Sequence, residues 1–289
     1  MALRIGLVGL GIMGSAYAGH LIDADFATVG YDPDPAALER YRSRGGNPLG
    51  SASAVAAASD VVLIAVASVA AVEAALEGVA GGIKPGTVVL DAGTFPLDVK
   101  ERVRDALARK GAVVLDVPVS GTGSQALNKD LVFFASGDRD AFERVRTVLE
   151  AIARDVRYVG PFGDGSKLKY IANLLVTIHN LSTAEAVVLA ERAGISASTV
   201  LDVLGESAAS SRMLQIRGPM MASHRYEPAT MRLEVYEKDL DIIEAFANSL
   251  GCPTPLFSAS LPFYTEAIAQ GRGKQDTAAI VEVLRERAG

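Results

Sequence analysis

The first 160 or so residues of the chain alternate short, strongly apolar runs with Ala-rich stretches of helical character. Seven runs carry the strand pattern, and they read LRIGLV, ATVGYD, VVLIAV, TVVLDAG, AVVLDVPV, LVFFASG and VRYVG. Strands that are apolar along almost their whole length are typical of a parallel sheet with helices on both faces. The alternation therefore predicts an α/β fold with a doubly wound parallel sheet in this part of the chain.

The strand pattern stops after the segment GPFGDG, and helical periodicity takes its place. A long helix is predicted from about Gly165 to Arg192, which would measure ~40 Å at about 1.5 Å per residue. Further helices are predicted near residues 196–209, 234–250, 258–270 and 275–287. The sequence thus predicts two domains, with residues 1–162 forming the α/β domain and residues 163–289 an all-helical one.

Composition and charge argue against several classes of partner. With 289 residues, of which 49% are hydrophobic, the chain is long enough to bury a large core. The net charge is −6 and the basic residues are scattered, so we expect neither a nucleic acid nor an anionic membrane as a partner. The single cysteine, Cys252, excludes an intramolecular disulfide. The histidines at positions 20, 179 and 224 lack metal-ligand spacing, so no metal is expected.

Charged residues limit the length of the apolar runs. Asp60, Glu73 and Glu185 interrupt the longest candidates, so we expect no run of the ~18 residues that a membrane span needs. The amino terminus MALRIGLVGLGIMG has one arginine and no small-residue cleavage site before its glycine-rich motif, so it does not resemble a signal peptide. These features predict a cytoplasmic location.

The first predicted strand runs directly into the glycine-rich turn GLGIMG and then into a helical stretch. In a dinucleotide-binding turn one glycine makes the tight turn, one lets the backbone approach a pyrophosphate, and one lets the helix pack on the strand. Gly9, Gly11 and Gly14 match these positions, and Ile12 and Met13 begin the helix that would face the phosphates. A lone GxGxxG is a weak signal, but its place between a strand and a helix predicts a dinucleotide cofactor.

Asp32 ends the second predicted strand, close to the ~20-residue spacing at which an acidic residue binds the ribose hydroxyl groups. A carboxylate at this position accepts a hydrogen bond from the free 2′-hydroxyl group of NAD and repels the 2′-phosphate of NADP. The next three residues are Pro, Asp and Pro rather than an arginine, so NAD is favoured. Arg40 or Arg42 could still reach the same place, which leaves NADP open.

A charged residue interrupts the apolar pattern of the long predicted helix, in the segment GDGSKLKYIANLLVTIHN. Lys169 and Asn173 are four residues apart, so their side chains project from the same face of the helix. Burying a charge is costly unless it has partners or a task, which makes this pair a candidate for catalysis. A solvated helix edge with a lysine that reaches water is the other interpretation, and this stretch alone leaves both open.

Four motifs, GLVGLGIMG, DVPVSGTGSQA, GDGSKLKYIAN and EKDLDIIEAFANSLGCPTPL, follow one another along nearly the whole chain. In order and spacing they resemble the motifs of the β-hydroxyacid dehydrogenase family, which includes 3-hydroxyisobutyrate and tartronate semialdehyde dehydrogenases and, more distantly, 6-phosphogluconate dehydrogenase. The resemblance implies a Rossmann-type doubly wound parallel sheet followed by an all-helical, 6-phosphogluconate dehydrogenase-like C-terminal domain. It also implies a homodimer, or a homotetramer made of dimers.

The resemblance places the substrate carboxylate at Ser120 and Gly121, with Thr122 beside them. These residues follow a predicted strand, where a hydroxyl group and exposed backbone N–H groups can bind an anion at the carboxyl edge of the sheet. An ordinary turn is the alternative interpretation of PVSGTG. Thr122, Ala172 and Met231 depart from the residues usual in the family, so the identity of the substrate stays open.

The same resemblance makes Lys169 the general acid/base and Asn173 the residue that orients the substrate. It places Lys238 near both nicotinamide and substrate, and Thr94 at the nicotinamide end of the cofactor. A lysine suits proton transfer because burial can lower its pKa, whereas an arginine does not readily lose its proton.

Together these residues predict an NAD(P)-dependent oxidoreductase that transfers a hydride between nicotinamide and a small carboxylate-bearing hydroxy acid. The expected substrate is 3-hydroxyisobutyrate or a related 2- or 3-hydroxyacid. One alternative is an imine reductase, although relatives with that chemistry usually replace the catalytic lysine. The other is a non-catalytic dinucleotide-binding module, which would need no pairing of Lys169 with Asn173.

Overall fold

The computed structural model describes residues 3–289 of the chain. The chain divides into two compact units, the first ending at Lys169 and the second beginning at Tyr170. This division falls inside a long helix, Asp164–Arg192, and the domain boundary predicted after residue 162 lies just before that helix begins. The first unit contains a sheet with helices, and the second unit is built from helices.

Within residues 3–169, the first unit contains one sheet of nine strands. The strands are β1 Arg4–Val8, β2 Ala27–Tyr31, β3 Asn47–Pro48, β4 Val61–Ile64, β5 Val88–Asp91, β6 Val113–Asp116, β7 Val119–Ser120, β8 Val132–Ser136 and β9 Asp155–Gly160. Their order is β3-β2-β1-β4-β5-β6-β8-β7, with β9 paired to β8. Neighbours from β3 through β6 run parallel, whereas β8 is antiparallel to β6 and β7 and parallel to β9.

The antiparallel pairing of β8 is a departure from the wholly parallel sheet that the sequence pattern predicts. After β6 the chain forms the two-residue strand β7 and then the five-residue helix α6, Gly123–Leu127. A parallel neighbour needs a crossover of about a dozen residues or more, usually a full helix. Here β7 pairs directly with β8, Val119 opposite Phe133 and Ser120 opposite Val132.

Helices cover both faces of this sheet. Besides α6, they are α1 Ile12–Asp23, α2 Pro35–Ser43, α3 Ala52–Ala58, α4 Val69–Gly82, α5 Leu97–Ala108 and α7 Arg139–Ile152. Alternate residues of a strand face opposite sides. In β1, Leu7 belongs to the apolar cluster of α1 and α7, and Val8 to that of α3, α4 and α5. In β4, Leu63 and Ile64 divide in the same way, which confirms the doubly wound arrangement.

The second unit holds most of α8, Asp164–Arg192, and five further helices. These are α9 Ala197–Leu204, α10 Arg212–Ser223, α11 Leu233–Ser249, α12 Pro255–Ala267 and α13 Ile280–Ala288. A π-helical turn, Ile268–Arg272, follows α12, and a 3-10 turn, Thr277–Ala279, precedes α13. The all-helical prediction for this part of the chain is confirmed.

Helix α10 lies outside the helices predicted from the sequence, because Pro219 stands inside it and breaks the helical pattern. Ser211 caps the start of the helix, where its hydroxyl oxygen accepts a hydrogen bond from Leu214 N at 3.0 Å. The predicted helix over residues 196–209 is wrong at its end, because α9 ends at Leu204.

Helix α8 is the one helix within residues 3–289 that is long and apolar enough to cross a membrane, judged by length and composition alone. This differs from the expectation that charged residues interrupt every candidate run. In the apolar window of the helix, 44% of the residues are buried. The core helix of a globular domain passes the same test, so the finding is weak evidence for a membrane span.

Candidate active site

The three glycines of the turn between β1 and α1 have three different surroundings. Gly9 has a φ of +94°, and a Cβ atom there would lie 2.4 Å from the carbonyl oxygen of Ala65. A Cβ atom on Gly14 would lie 1.9 Å from the carbonyl oxygen of Gly9, so helix and strand pack too closely for a side chain. A Cβ atom on Gly11, the N-cap of α1, would meet open space among the described residues. The turn thus leaves room where a pyrophosphate would meet a helix amino terminus.

Asp32 follows β2 and is tied to the same turn. Its Oδ2 atom accepts a hydrogen bond from Leu10 N at 2.7 Å, and its Oδ1 atom accepts one from Asp34 N at 2.9 Å. These bonds fix the carboxylate beside the glycine turn, where a ribose of the cofactor would reach it. Of the two arginines left open for NADP, Arg40 lies 3.7 Å from Asp34, and Arg42 pairs with a glutamate one turn earlier on α2.

The predicted carboxylate-binding residues lie at the end of β7. Ser120 is the last residue of this strand and is half-buried. Gly121 has a φ of +138°, and a Cβ atom there would lie 2.4 Å from Leu131 Cδ2, so a larger residue would be strained. Thr122 N donates to Gln125 Oε1 at 3.1 Å at the start of α6. The amide of Thr122 is therefore engaged, which leaves the anion-site prediction resting on Ser120 and Gly121.

The predicted residues of the first unit gather at the carboxyl ends of strands. Gly9, Asp32, Thr94 and Ser120 lie at or just after the ends of β1, β2, β5 and β7, respectively. Thr94 is half-buried in the loop after β5. In an open α/β sheet this edge is where ligands bind, so the fold brings these four residues to the edge expected of a binding site.

Lys169 and Asn173 lie one turn apart on α8. Lys169 is half-buried, and Asn173 is 5% exposed. The side-chain amide of Asn173 donates to Asp239 Oδ2 at 2.9 Å, and Lys238 Nζ donates to Asp239 Oδ1 at 2.7 Å. The backbone carbonyl group of Asn173 accepts a further bond from the Tyr236 hydroxyl group at 3.0 Å. Asp239 thereby connects two predicted site residues, Asn173 and Lys238, within the second unit.

A buried charge cluster lies at the carboxyl ends of β5 and β6. Asp91 and Asp116 end these strands opposite each other, and both are fully buried. Lys100 of α5, also fully buried, places its Nζ atom 2.6 Å from Asp116 Oδ1 and 3.7 Å from Asp91 Oδ1. Burial raises the pKa of Asp91, and the charge of Lys100 opposes this only in part. Burial lowers the pKa of Lys100, but the two carboxylates outweigh it and the net shift is upward.

Neither this cluster nor Asp239 is among the residues predicted from the sequence. A signal for the two buried acids exists, because β5 and β6 both end in VVLD and so place an acidic residue after two adjacent apolar strands. Lys100 carries no such signal, since it stands among the charged residues of LDVKERVRDALA on α5. The signal for Asp239 is its position next to Lys238 in the motif EKDLD.

Two family profiles together span almost the whole chain. The profile described as the NAD binding domain of 6-phosphogluconate dehydrogenase matches residues 4–160. The profile described as NAD-binding of NADP-dependent 3-hydroxyisobutyrate dehydrogenase matches residues 163–284. The chain belongs to the β-hydroxyacid dehydrogenase family.

Relatives that match the chain over nearly its whole length support the assignment to the β-hydroxyacid dehydrogenase family. An L-threonate dehydrogenase of Cupriavidus necator is 33% identical over 288 residues, with 98% of this chain and 97% of the relative covered. A solved 3-hydroxyisobutyrate dehydrogenase of Salmonella typhimurium is 33% identical, with a TM-score of 0.88 and 97% and 99% of the two chains covered. The 3-hydroxyisobutyrate dehydrogenase of Mycobacterium tuberculosis, solved with L-serine, is 27% identical, with a TM-score of 0.89 and 99% and 100% covered.

These matches confirm the predicted family, the fold class and the prediction of an NAD(P)-dependent hydroxyacid dehydrogenase. NAD and NADP both stand as cofactors of the family, since one matching profile is described by NAD and the other names NADP dependence. The roles of individual residues, the oligomeric state and the cytoplasmic location stay predictions.

Proposed function

We propose that this protein catalyses the reversible NAD(P)-dependent oxidation of a small hydroxy acid with Lys169 as the general acid/base. The observation that carries the proposal is the pair on α8, where Lys169 is followed one turn later by an Asn173 whose amide is bonded to Asp239. A solvated helix edge would not need a buried asparagine bonded to a buried carboxylate. This arrangement favours catalysis over the alternative of a surface lysine.

The dinucleotide would be held by the glycine turn and by Asp32. The open space at Gly11 would receive the pyrophosphate, against the first amides of α1 at Ile12 and Met13. Asp32 would accept hydrogen bonds from the ribose hydroxyl groups, and Thr94 would lie at the nicotinamide end. When bound, the cofactor supplies hydride acceptance in oxidation and hydride donation in reduction.

Lys169 would move the proton that hydride chemistry leaves behind. Oxidation of an alcohol carbon requires its hydroxyl group to lose a proton, and a neutral lysine amine can accept it. In the reverse direction the ammonium form donates a proton to the new alcohol oxygen. Arginine holds its proton too strongly for this cycle, which is why the residue type matters at this position.

Asp239 would orient the residues that hold the substrate. One N–H group of the Asn173 amide is committed to Asp239, which fixes the rotation of the amide about its last torsion. The second N–H group and the carbonyl oxygen of Asn173 then have set directions, which a substrate hydroxyl group can use. Lys238 is 30% exposed and bonded to the same carboxylate, so it would present a localised positive charge to an acid substrate.

The substrate class we propose is a small hydroxy acid, with L-threonate and 3-hydroxyisobutyrate as the first candidates. Both names belong to full-length relatives at 33% identity. Ser120 would bind the carboxylate group that the two acids share. Thr122 and Met231 differ from the residues usual in the family, and we expect them to decide between acids of different length and polarity.

We also propose self-association through α8. Leu168, Ile171 and Leu175 recur along one face of this helix, and they are 39%, 50% and 47% exposed, respectively. Three apolar side chains exposed in one stripe favour a protein partner, and a second copy of the chain fits the predicted dimer or tetramer.

The direct test is turnover of a panel of acids by the purified protein. L-Threonate, 3-hydroxyisobutyrate and other 2- and 3-hydroxyacids are supplied with NAD and, separately, with NADP, while nicotinamide absorbance is followed. We expect acid-dependent reduction of the cofactor for at least one member of the panel. Dinucleotide binding without turnover of any acid would favour the non-catalytic module. In a separate assay, oxidation of NADH or NADPH that depends on an added cyclic imine would favour the imine reductase.

A further inference from the structure

The side chain of Lys100 links two chain segments that carry predicted site residues. Its Nζ atom donates to the backbone carbonyl oxygen of Asp91 at 3.3 Å and to Asp116 Oδ1 at 2.6 Å. Asp91 ends β5, and the loop after it holds Thr94; Asp116 ends β6, and the segment after it holds Ser120. The ammonium group therefore lies where these two segments leave the sheet.

Asp116 extends this connection to the start of α8. Its Oδ2 atom accepts a hydrogen bond from Ser166 N, and its Oδ1 atom accepts one from Ser166 Oγ, both at 2.8 Å. Gly165 N donates to Ser136 Oγ at 3.0 Å, and this hydroxyl group donates to Asp116 Oδ2 at 3.2 Å. The first amides of a helix have no partner within the helix, so these bonds anchor its start. Lys169 follows Ser166 within one turn.

The start of α8 also lies against the sheet with no spare room. A Cβ atom on Gly165 would lie 2.3 Å from the carbonyl oxygen of Phe134 and 3.1 Å from that of Asp116. The backbone of the helix therefore contacts the end of β6 and the middle of β8 directly. The hydrogen bonds and this close approach together fix the first turn of α8 relative to the sheet.

Burying the charged groups of this cluster costs desolvation free energy, so we expect the cluster to have a role beyond stability. Asp91, Lys100 and Asp116 are each 0% exposed, and well-packed apolar residues could replace such a group without loss of stability. Among residues 3–289, Oδ2 of Asp91 is buried with no hydrogen-bond partner. Burial raises the pKa of Asp91, and the charge of Lys100 opposes this shift. The geometry of the cluster holds three segments at one point, because Lys100 lies 2.6 Å from Asp116 and 3.7 Å from Asp91.

We propose that Lys100 is a positioning residue that sets the placement of the segments carrying Thr94, Ser120 and Lys169. It acts through its bonds to the ends of β5 and β6 and, by way of Asp116, on the start of α8. Lys100 is fully buried, and its ammonium group is bonded to Asp91 and Asp116. The kinetic part of this proposal rests on the proposed function, whereas the anchoring of α8 does not.

The anchoring is tested by hydrogen exchange in the full-length protein. Lys100→Met removes the ammonium group, and Ser166→Ala removes one bond to Asp116 with little change in volume. Val103→Ala is the matched control, because Val103 lies on the same helix as Lys100, is 1% exposed and belongs to the apolar cluster of α3, α4 and α5 instead of the charge cluster. We expect the amides of residues 164–169 to exchange on the order of tenfold faster in the first two variants and not in the control.

The positioning is tested by kinetics with an acid that the wild-type protein turns over. Misplacing a catalytic group by a fraction of its contact distance lowers kcat by roughly 10- to 100-fold. We expect this loss in Lys100→Met and a smaller loss in Ser166→Ala, with the Kd of the dinucleotide nearly unchanged. The limb of the kcat–pH profile that belongs to Lys169 should also shift in both variants, because the surroundings of its amine change. Val103→Ala should keep the wild-type pH profile.

The exchange and kinetic measurements test the anchoring of α8 and the positioning role of Lys100 separately. Unchanged exchange at residues 164–169 in Ser166→Ala overturns the anchoring, and Ser166→Ala carries this comparison alone if Lys100→Met does not fold. Faster exchange with an unchanged kcat and pH profile overturns the positioning role. If the wild-type protein turns over no acid at all, the proposed function fails, and the exchange comparison still decides whether the cluster anchors α8.

Discussion

Replacing Asp276 with Asn tests how the loop that carries Met231 is held. Asp276 is fully buried, and its Oδ2 atom accepts hydrogen bonds from Thr230 N at 2.8 Å and from Met231 N at 3.0 Å. Its Oδ1 atom lies 3.3 Å from Nε of Arg217, which is 4% exposed, and accepts a bond from Ala278 N at 3.0 Å. One buried carboxylate thus joins three segments of the second unit.

The expected loss of unfolding free energy follows from the charge that the substitution leaves without a partner. Asn has nearly the shape of Asp, but it leaves the buried guanidinium group of Arg217 without a counter-charge. Removing one partner of a buried ion pair costs about 3–5 kcal/mol of unfolding free energy. We expect the lower end, ~3 kcal/mol, because 3.3 Å is long for a charge-assisted bond. The matched control is Asp98→Asn, whose exposed pair with Arg102 should cost less than about 1 kcal/mol.

The cost should also depend on pH in one direction. Burial raises the pKa of Asp276, but Arg217 and the hydrogen-bond donors around the carboxylate outweigh it, so its pKa lies below the ordinary 3.8. A carboxyl group whose pKa is lowered on folding contributes its full stability above 3.8 and loses it as the pH falls through the folded pKa. The difference in unfolding free energy between wild type and Asp276→Asn should therefore be constant from neutral pH to about pH 5 and shrink below 3.8.

Urea unfolding followed by circular dichroism, repeated across this pH range, measures both quantities. A second readout is KM for the acid, which we expect to rise because the Met231 loop loses its anchor. A loss of unfolding free energy no larger than that of Asp98→Asn at neutral pH, or a difference that grows as the pH falls, would show that the Asp276–Arg217 pair does not stabilise the second unit.

Three further changes test other parts of the site. Asp32→Ala should narrow the preference for NAD over NADP, measured as the ratio of their kcat/KM values; a wild-type preference for NADP would overturn the reading of Asp32. Ser120→Ala should raise KM for the acid, because it removes a hydrogen bond that contributes on the order of 1–3 kcal/mol to substrate binding, and it should change the Kd of NAD little. Unchanged kinetics would show that Ser120 does not bind the substrate. Ile171→Glu should shift the sedimentation of the protein towards a 30.1 kDa monomer, whereas a wild-type protein that is already monomeric at micromolar concentration would contradict self-association through α8.

The fold follows from the sequence where local patterns decide it. Apolar runs mark the central strands of the sheet, and the glycine turn and Asp32 mark the first β-α-β unit. The antiparallel direction of β8 does not follow, because it depends on β7 pairing with β8, a contact between segments that local pattern cannot show. Helix α10 is missed because a proline inside a helix reads as its end.

In the candidate site, too, some residues can be identified from local sequence patterns and others only from tertiary contacts. Lys169 and Asn173 are visible from their spacing on one apolar helix, since the helix itself brings them together. The roles of Asp239 and Lys100 depend on partners that are distant in the chain, so no spacing rule connects them to the site. The repeated VVLD at the ends of β5 and β6 is the exception, because the register of these two neighbouring strands places their last residues, Asp91 and Asp116, opposite each other.

Proton transfer by Lys169 can be tested with the kcat–pH profiles of Lys169→Ala and Lys169→Arg, measured on an acid that the wild type turns over. We expect kcat to fall by roughly 10²–10⁴-fold in Lys169→Ala, with dinucleotide binding and unfolding free energy nearly intact and the corresponding pH limb lost. Lys169→Arg should recover little, because arginine keeps its proton across the working pH range. A Lys169→Arg variant with near wild-type turnover and an unchanged pH profile would show that Lys169 does not transfer the proton and is a structural residue at the edge of α8.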